Sequence, residues 1–424
     1  MLNTYIAGQI YAKISFDATV SQKKVVENLS EYLSSPDYSS IFILNGYAGT
    51  GKTTLIAALV QVLRAMNIPC VLLAPTGRAA KVLAQYSGTE AHTIHKRIYR
   101  QRTNAGYESK YSLDINREKG CVFIVDETSM LSDSTPDGQI FGSGSLLEDL
   151  ITYVRSGRQC RLILVGDDAQ LPPVGADRSP ALDAAAMRSY GEVVYSSMTD
   201  VVRQDAASGI LRNATALRQM LERGEVEVPP IDLNYPDIED AYARYGRDET
   251  IVITRSNKRA NRFNEGIRRY ILSAEEQIES GDRLMVVKNN YYYTERMEKS
   301  PMSFIANGDI ALLKRIRRFE DFYGFHFADA ILSFGDYGNT EIECKILLDT
   351  LSSESPSLTR EQSRQLFDEV EKDYMDTASR LKRFRQIREN PHYNALQVKF
   401  AYAVTCHKAQ GCLLYTSDAA DDMQ

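Results

Sequence analysis

Ser40–Thr54 reads SIFILNGYAGTGKTT, an apolar run, a glycine-rich turn and the start of a helix-forming series, and this order decides the architecture. Ile41–Leu44 has the composition of a buried strand, and TTLIAALVQVLRAM from Thr53 onward that of a helix. Between them Gly46, Gly51, Lys52 and Thr53 hold the spacing GxxxxGK[ST]. Glycines let the backbone curl until successive N–H groups of Tyr47, Ala48, Gly49, Thr50 and Gly51 point inward, and the helix start adds its positive end. Such a loop wraps phosphate oxygens. Lys52 then reaches the β- and γ-phosphates, the Thr53 hydroxyl ligates Mg²⁺, and Thr54 continues the helix. ATP with Mg²⁺ is the expected ligand.

A chain of 424 residues is long enough for two to four units, and its 43% hydrophobic and 25% charged content is ordinary for a globular protein. No apolar run approaches the roughly 20 residues of a membrane span, and the N-terminus lacks a signal-peptide pattern. Cys70, Cys121, Cys160, Cys344, Cys406 and Cys412 are scattered without CxxC spacing, so reduced thiols, a cytoplasmic location and no structural zinc are expected. The net charge of −6 gives no global basic signature, so any nucleic-acid site must be a local groove.

Outward from the loop, apolar strands alternate with helices. PCVLLAP runs into Thr76-Gly77-Arg78 and a helix, CVFIVDE ends in Asp126-Glu127, and RLILVGD ends in Asp167-Asp168-Ala169-Gln170. Polar residues gathered at the C-terminal ends of buried strands describe a doubly wound α/β domain with its site at those ends. Asp126 is placed to hold Mg²⁺, Glu127 to polarise the attacking water, and Gln170 to hydrogen-bond the γ-phosphate. Arg203, in VVRQ, is a candidate arginine finger, with a surface ion pair as its alternative. Gln22, near the start of a helix capped by Thr19 or Ser21, carries a carboxamide that can pair with the N6 and N7 edge of adenine. On that residue alone a solvated surface glutamine is the better reading.

The segment 97–118 is too polar for a core and flanks the turn Asn104-Ala105-Gly106, so a protruding hairpin is expected. Its Arg97, Arg100, Arg102 and Lys110 alternate with Tyr99, Tyr107 and Tyr111, a pattern suited to stacking and phosphate contact, or equally to a solvated loop. Residues 281–350 read as short strands of a small antiparallel barrel. Thr359 and Gln362 open one long helix with the apolar stripe Leu366, Phe367, Val370, Tyr374, Ala378, Leu381 and Ile387. It ends in the strongly basic RLKRFRQIR, which faces either a nucleic-acid phosphate or water.

The ordered set GYAGTGKTT, APTGRAAK, HTIHK, VDETSM, VGDDAQLPPVG, VVRQ and TCHKAQG resembles the superfamily 1B DNA helicases, in the RecD-like and phage Dda-like branch, across nearly the whole chain. The resemblance implies an α/β fold of two RecA-like P-loop NTPase domains, with a hairpin insertion in the first and a small β-barrel insertion in the second. The expected layout is a first domain over 1–204 with the pin-like hairpin at 97–118. A second domain over 205–280 follows, then a barrel plus helix over 281–395 and a continuation over 396–411. It implies that Gln22 reads adenine after all, that Pro75, Thr76, Thr93 and His95 contact single-stranded DNA, and that Tyr107 and Tyr111 sit on the strand-separating pin. Thr254, Asn257, Asn307, Gly308, Thr405, His407 and Lys408 match the DNA contacts of the second domain. The implied activity is ATP-driven 5′ to 3′ movement on single-stranded DNA with unwinding at duplex junctions, by a monomer that uses no membrane.

After Gly411 the chain departs from that pattern. Residues 412–424, CLLYTSDAADDMQ, resemble a translated sequencing adapter, so the second domain is expected to be incomplete and hydrolysis by the chain as written to be poor. A nucleotide-gated DNA-binding module without motor activity is the alternative on that basis. A P-loop kinase fits the loop and Asp126 but not TIHK or TCHKAQG.

Overall fold

Strands that are apolar at every position need cover on both faces, and a parallel sheet sandwiched by helices supplies it. In the computed structural model, residues 2–14, 16–101, 111–133, 142–173, 175–200, 213, 215–217, 219–220, 223, 237–297, 302 and 304–409 are described. They divide into two compact units, one holding the described residues up to 223 and the other those from 237 to 409.

The first unit is built on a six-stranded parallel sheet. Its strands are β1 (Ile41–Gly46), β2 (Cys70–Ala74), β3 (Ala91–Thr93), β6 (Val122–Val125), β7 (Arg161–Gly166) and β8 (Val193–Met198), in the order β3-β2-β6-β7-β1-β8. All six residues of β1 are buried, and they alternate between two cores. Phe42 and Leu44 pack with Val25, Leu29, Ile56 and Leu59, from helices α2 (Val20–Ser34) and α3 (Lys52–Ala65). Ile41 and Ile43 pack on the opposite face with Phe123, Val125, Leu150 and Ile151. Each such side chain is worth about 1.5–3 kcal/mol of burial, which anchors the glycine loop at the end of β1. A further helix, α1 (Leu2–Lys13), covers the first face and was given no expectation from sequence.

The segment 97–118 is a hairpin only in part. Arg97 and Ile98 end the short helix α5 (Ile94–Ile98); β4 (Tyr99–Gln101) and β5 (Tyr111–Leu113) then pair antiparallel with Tyr99 opposite Leu113. Tyr99 is not a stacking platform: it is buried and its hydroxyl donates to Asp149 Oδ2 at 2.6 Å. Arg97 is paired with Glu118. Residues 102–110, including Tyr107, lie outside the described residues, as does the side chain of Tyr111.

In the second unit β9 (Val252–Thr254) pairs parallel with β15 (Ala403–Thr405), with Thr254 opposite Thr405. The barrel is closed by β10 (Arg283–Val286), β11 (Ile310–Phe322), β12 (Phe325–Phe334), β13 (Thr340–Leu347) and β14 (Leu396–Phe400). Alternate residues such as Leu284 and Val286, Ala328, Ala330 and Leu332, and Ile342, Cys344 and Ile346 fill its interior. The closing strand was not expected: Leu396–Phe400 leaves the stretch assigned to the α/β continuation because Leu284 pairs with Phe400 and Ile346 with Leu396. Only from Ala403 does the chain rejoin β9.

The single long helix after Thr359 is corrected to two, Arg360–Lys372 and Arg380–Glu389. Asp373, Asp376, Thr377 and Ser379 separate them, residues whose side chains compete with helical hydrogen bonding. Ser379 caps the second helix, and the Thr377 hydroxyl donates to Gln386 Oε1 at 2.8 Å. Leu366, Phe367, Val370 and Ile387 pack on Phe325, Phe327 and Leu347, whereas Leu381 is 62% exposed and leaves the stripe. Among the described residues no helix is long and apolar enough to cross a membrane.

Candidate active site

The loop after β1 has the backbone that its glycines permit. Gly49 and Gly51 take φ of 77° and 88°, left-handed values that cost a residue with a Cβ about 1–2 kcal/mol. A Cβ on Gly51 would also lie 3.0 Å from Gln22 Nε2. Gly51 opens α3, so Lys52, Thr53 and Thr54 occupy its first turn, where free N–H groups accumulate. The Lys52 ammonium donates to the carbonyls of Gly46 and Tyr47, the latter at 2.9 Å, and the Thr50 hydroxyl donates to Tyr47 O at 2.7 Å.

Gln22 is not a solvated surface residue. It is 2% exposed, its Oε1 accepts from Thr19 N at 2.9 Å in a reciprocal capping box, and its Nε2 donates to Thr50 O at 3.0 Å. The start of α2 is therefore bolted to the loop. Ser21 adds a second tie from α2 by donating its N–H and hydroxyl to Asp200 Oδ2, at 3.1 and 2.8 Å.

The acidic pair follows β6, two strands from β1, with β7 between them. Glu127 has φ 54°, a left-handed conformation for a non-glycine residue of the kind that collects at functional sites. Burial raises the Asp126 carboxyl, with Lys52 opposing. Burial, then the Asp126 charge, push Glu127 up to about 7; Lys52 lowers it and Asp167 raises it. Lys52, Asp126, Glu127 and Asp167 thus form one electrostatic cluster. Gln170 sits on the turn after β7, its N–H donating to Asp167 O at 3.2 Å. Arg203 lies outside the described residues.

Asn45, which the sequence reading passed over, holds this cluster in register. It is 6% exposed; its Oδ1 accepts from Asp168 N at 3.1 Å and its Nδ2 donates to Tyr195 OH at 2.9 Å. One side chain therefore ties the end of β1 to the turn after β7 and to the middle of β8. Asn45→Ala orphans the Asp168 amide and releases the Gln170 turn, a loss of about 1–2 kcal/mol. Turnover is expected to fall about 10-fold with the KM for ATP within about threefold, because the loop amides remain. A fall in thermal stability with unchanged kcat would assign Asn45 to the fold alone.

The candidate DNA contacts fall into three groups. Thr76 and Thr93 are the N-caps of α4 (Gly77–Ser87) and α5, accepting from Ala79 N at 3.2 Å and Lys96 N at 3.3 Å. Because Ala74 pairs with Thr93, the register brings Pro75, Thr76, Thr93 and His95 to the C-terminal edge of the sheet that also bears the glycine loop. His95 is half-buried, and burial lowers its pKa. In the second unit Thr254 and Thr405 face each other at the ends of β9 and β15. Asn257 starts the helix Asn257–Gly266, and His407 and Lys408 lie on the turn Cys406–Ala409. Burial, then Lys399, lower Lys408 to about 8. Asn307 and Gly308 belong instead to the barrel, in the turn before β11, where Asn307 N donates to Asn289 Oδ1 at 2.7 Å and Gly308 N to Val286 O at 2.8 Å.

A glycine loop between an inner parallel strand and a helix, with an acidic pair that its lysine acts on electrostatically, defines a P-loop ATPase domain. The model of an AAA domain family matches residues 18–227. The chain is 31% identical over 179 residues to the ATP-dependent RecD2 DNA helicase of Deinococcus radiodurans, covering 42% of this chain and 21% of that protein. It is 26% identical over 281 residues to the ATP-dependent DNA helicase dda of Enterobacteria phage T4, covering 62% of this chain and 59% of that one. The chain thus spans about a fifth and about three fifths of these relatives' lengths. Among solved structures, the Pif1 helicase from Bacteroides in complex with ADP-AlF3 and ssDNA aligns with a TM-score of 0.49 at 14% identity, covering 94% of this chain and 85% of that one. These matches place residues 18–227 in an AAA-type P-loop domain similar to that of the RecD2 and dda DNA helicases.

Proposed function

We propose that the chain is an ATP-driven motor that moves 5′ to 3′ on single-stranded DNA and separates duplex strands at junctions. The observation that carries this reading is the shared sheet edge in the first unit. The glycine loop, the Asp126–Glu127 pair and the Pro75, Thr76, Thr93 and His95 group all lie at the C-terminal ends of its strands, so a change at the nucleotide is transmitted through one rigid layer.

The residues present fit Mg²⁺-ATP. A Cβ on Gly51 would crowd Gln22 Nε2 at 3.0 Å in a left-handed turn, Lys52 already sits against two carbonyls, and the raised carboxyls of Asp126 and Glu127 favour a cation beside them. Thr53 and Asp126 would hold the Mg²⁺, which when bound neutralises phosphate charge. The loop amides and Lys52 bind and orient the triphosphate; Glu127 takes the proton of the attacking water; Gln170 reads the γ-phosphate; Arg203 adds a cation in the transition state. Gln22 brings its second amide N–H to the adenine while it braces the loop. The cycle shifts the population between grip by the first unit's contact group and grip by Thr254, Asn257, Thr405, His407 and Lys408 of the second. The segment 97–118, with Tyr107 and Tyr111, serves as the wedge.

The test is ATP hydrolysis with and without single-stranded DNA, followed by unwinding of duplexes bearing a 5′ or a 3′ tail. Stimulation of about 10-fold or more, with opening of the 5′-tailed substrate only, is expected. Hydrolysis indifferent to DNA would point to an ATPase of another kind. ATP-dependent strand affinity without turnover would make the chain a nucleotide-gated binding module, and equal stimulation by RNA would widen the substrate class.

A further inference from the structure

The helix Asn257–Gly266 and the turn that continues it present Asn261, Asn264 and Arg268 at the i, i+3, i+7 spacing of one face. Each is tied to a different part of the barrel's frame. Asn261 Nδ2 donates to the carbonyls of Ser352 and Ser353, at 2.9 and 2.8 Å, in the turn after β13. Arg268 pairs with Asp282, just before β10, through Nε and Nη2 at 2.9 and 3.0 Å. Asn264 lies between them and is 3% exposed. Its Nδ2 donates to Phe400 O at 3.2 Å and to Ala403 O at 2.9 Å, and its Oδ1 accepts from Ala403 N at 2.7 Å.

Ala403 opens β15, and Val252 N of β9 donates to Tyr402 O at 2.9 Å, so the alternation of a parallel pair turns the N–H and C=O of Ala403 away from β9. The Asn264 carboxamide, with donor and acceptor side by side, meets both groups as the backbone of a neighbouring strand would. The candidate strand contacts of this unit come from two stretches. Thr254 and Asn257 stand at the end of β9 and the start of the helix, and Thr405, His407 and Lys408 at the end of β15 and just after it. β9 and β15 are 3 residues each, too short to hold a register unaided. Thr254 Oγ1 closes their tips by donating to Val404 O at 3.3 Å, and Asn264 closes their base.

We propose that Asn264 is a positioning residue for the second unit's grip on single-stranded DNA. One carboxamide fixes the helix that starts at Asn257 to the strand that ends at Thr405, and through Phe400 it makes their spacing follow the last strand of the barrel. The role rests on the reading of these residues as strand contacts. Asn264 itself touches no DNA: it is buried about 10 Å along the helix axis from Asn257 and acts through the backbone it holds.

The experiment is equilibrium binding of a fluorescent oligothymidine of about 16 nucleotides to the full chain, beside binding of a fluorescent ATP analogue. Asn264→Ala is expected to weaken oligonucleotide affinity about 10-fold and to leave nucleotide affinity, a property of the first unit, within about twofold. Asn261→Ala removes hydrogen bonds from the same face to the barrel but none to β15, so both affinities should stay within about twofold. Asn257→Ala completes a double-mutant cycle. Its side chain is too far from Asn264 for direct contact, so the two losses fall short of additive only if Asn264 acts by placing Asn257. Where Asn264→Ala melts below the assay temperature, Asn264→Ser is measured in its place. Unchanged oligonucleotide affinity, strict additivity with Asn257→Ala, or melting of both Asn264 variants overturns the proposal and leaves Asn264 a residue of the fold. An unaltered chain that does not bind the oligonucleotide overturns it together with the motor reading. An unaltered chain that binds, with Asn264 variants that bind alike, overturns the positioning role alone.

Discussion

Lys52→Ala is expected to lower ATP hydrolysis by about 10³-fold or more and to weaken nucleotide binding with it. The structure explains why this one substitution has so large an effect. The ammonium is the only cation shown in contact with the loop among the described residues, and it rests on the carbonyls of Gly46 and Tyr47 at the lip of the cradle. It also lowers the pKa of both Asp126 and Glu127. Removing it strips the phosphates of their principal charge partner and leaves the acidic pair unopposed at the place where triphosphate charge must accumulate. Lys52→Arg should recover little, because a planar fork does not replace a compact ammonium packed against two carbonyls. The measurement is steady-state phosphate release alongside binding of a fluorescent nucleotide. Turnover like that of the unaltered chain would remove Lys52, and the loop, from the active site.

How much of this was legible in the sequence depends on how far apart the interacting residues lie. The glycine loop was readable because its chemistry is local: Gly49 and Gly51 need left-handed backbone, and Lys52 follows within the same turn. The acidic pair after VFIV was readable for the same reason. Gln22 was not, since its burial depends on the carbonyl of Thr50, 28 residues on. Tyr99 resembled a nucleic-acid platform until Asp149, 50 residues later, claimed its hydroxyl. Asn45 looked like one more strand residue, and its role appears only when the turn after β7 and Tyr195 of β8 are beside it.

The barrel shows the same limit from the other side. Its alternating apolar positions announced strands, but closure by Leu396–Phe400 rests on pairing with β10, more than a hundred residues earlier. The helix break at Asp373–Ser379 was in principle readable from its run of backbone-competing side chains. The apolar stripe read across it was a coincidence of spacing, as the exposure of Leu381 shows.

Glu127→Gln separates binding from chemistry, and it carries a second signature that a mere ligand would not. The carboxamide keeps the size and the left-handed backbone of Glu127 but cannot accept the water's proton, so hydrolysis should fall by about 10²–10⁴-fold with ATP affinity held within a few-fold. The stability effect follows from the raised pKa. Glutamate in the unfolded chain titrates near 4.5, and burial and Asp126 move it up to about 7 in the folded protein. Below about pH 3.5 both states are protonated and the carboxyl costs little. As pH rises from about 4.5 towards 7 the unfolded chain ionises while the folded one resists, so the native state loses roughly 1–2 kcal/mol, after allowance for partial exposure, and the loss levels off above 7. The glutamine variant escapes that loss. In metal-free, nucleotide-free protein its melting temperature should match that of the unaltered chain at about pH 3.5 and exceed it by a few degrees at about pH 8. A variant that hydrolyses ATP normally, or whose melting advantage is the same at both pH values, would mean that Glu127 is not the half-buried, proton-accepting carboxylate of this site.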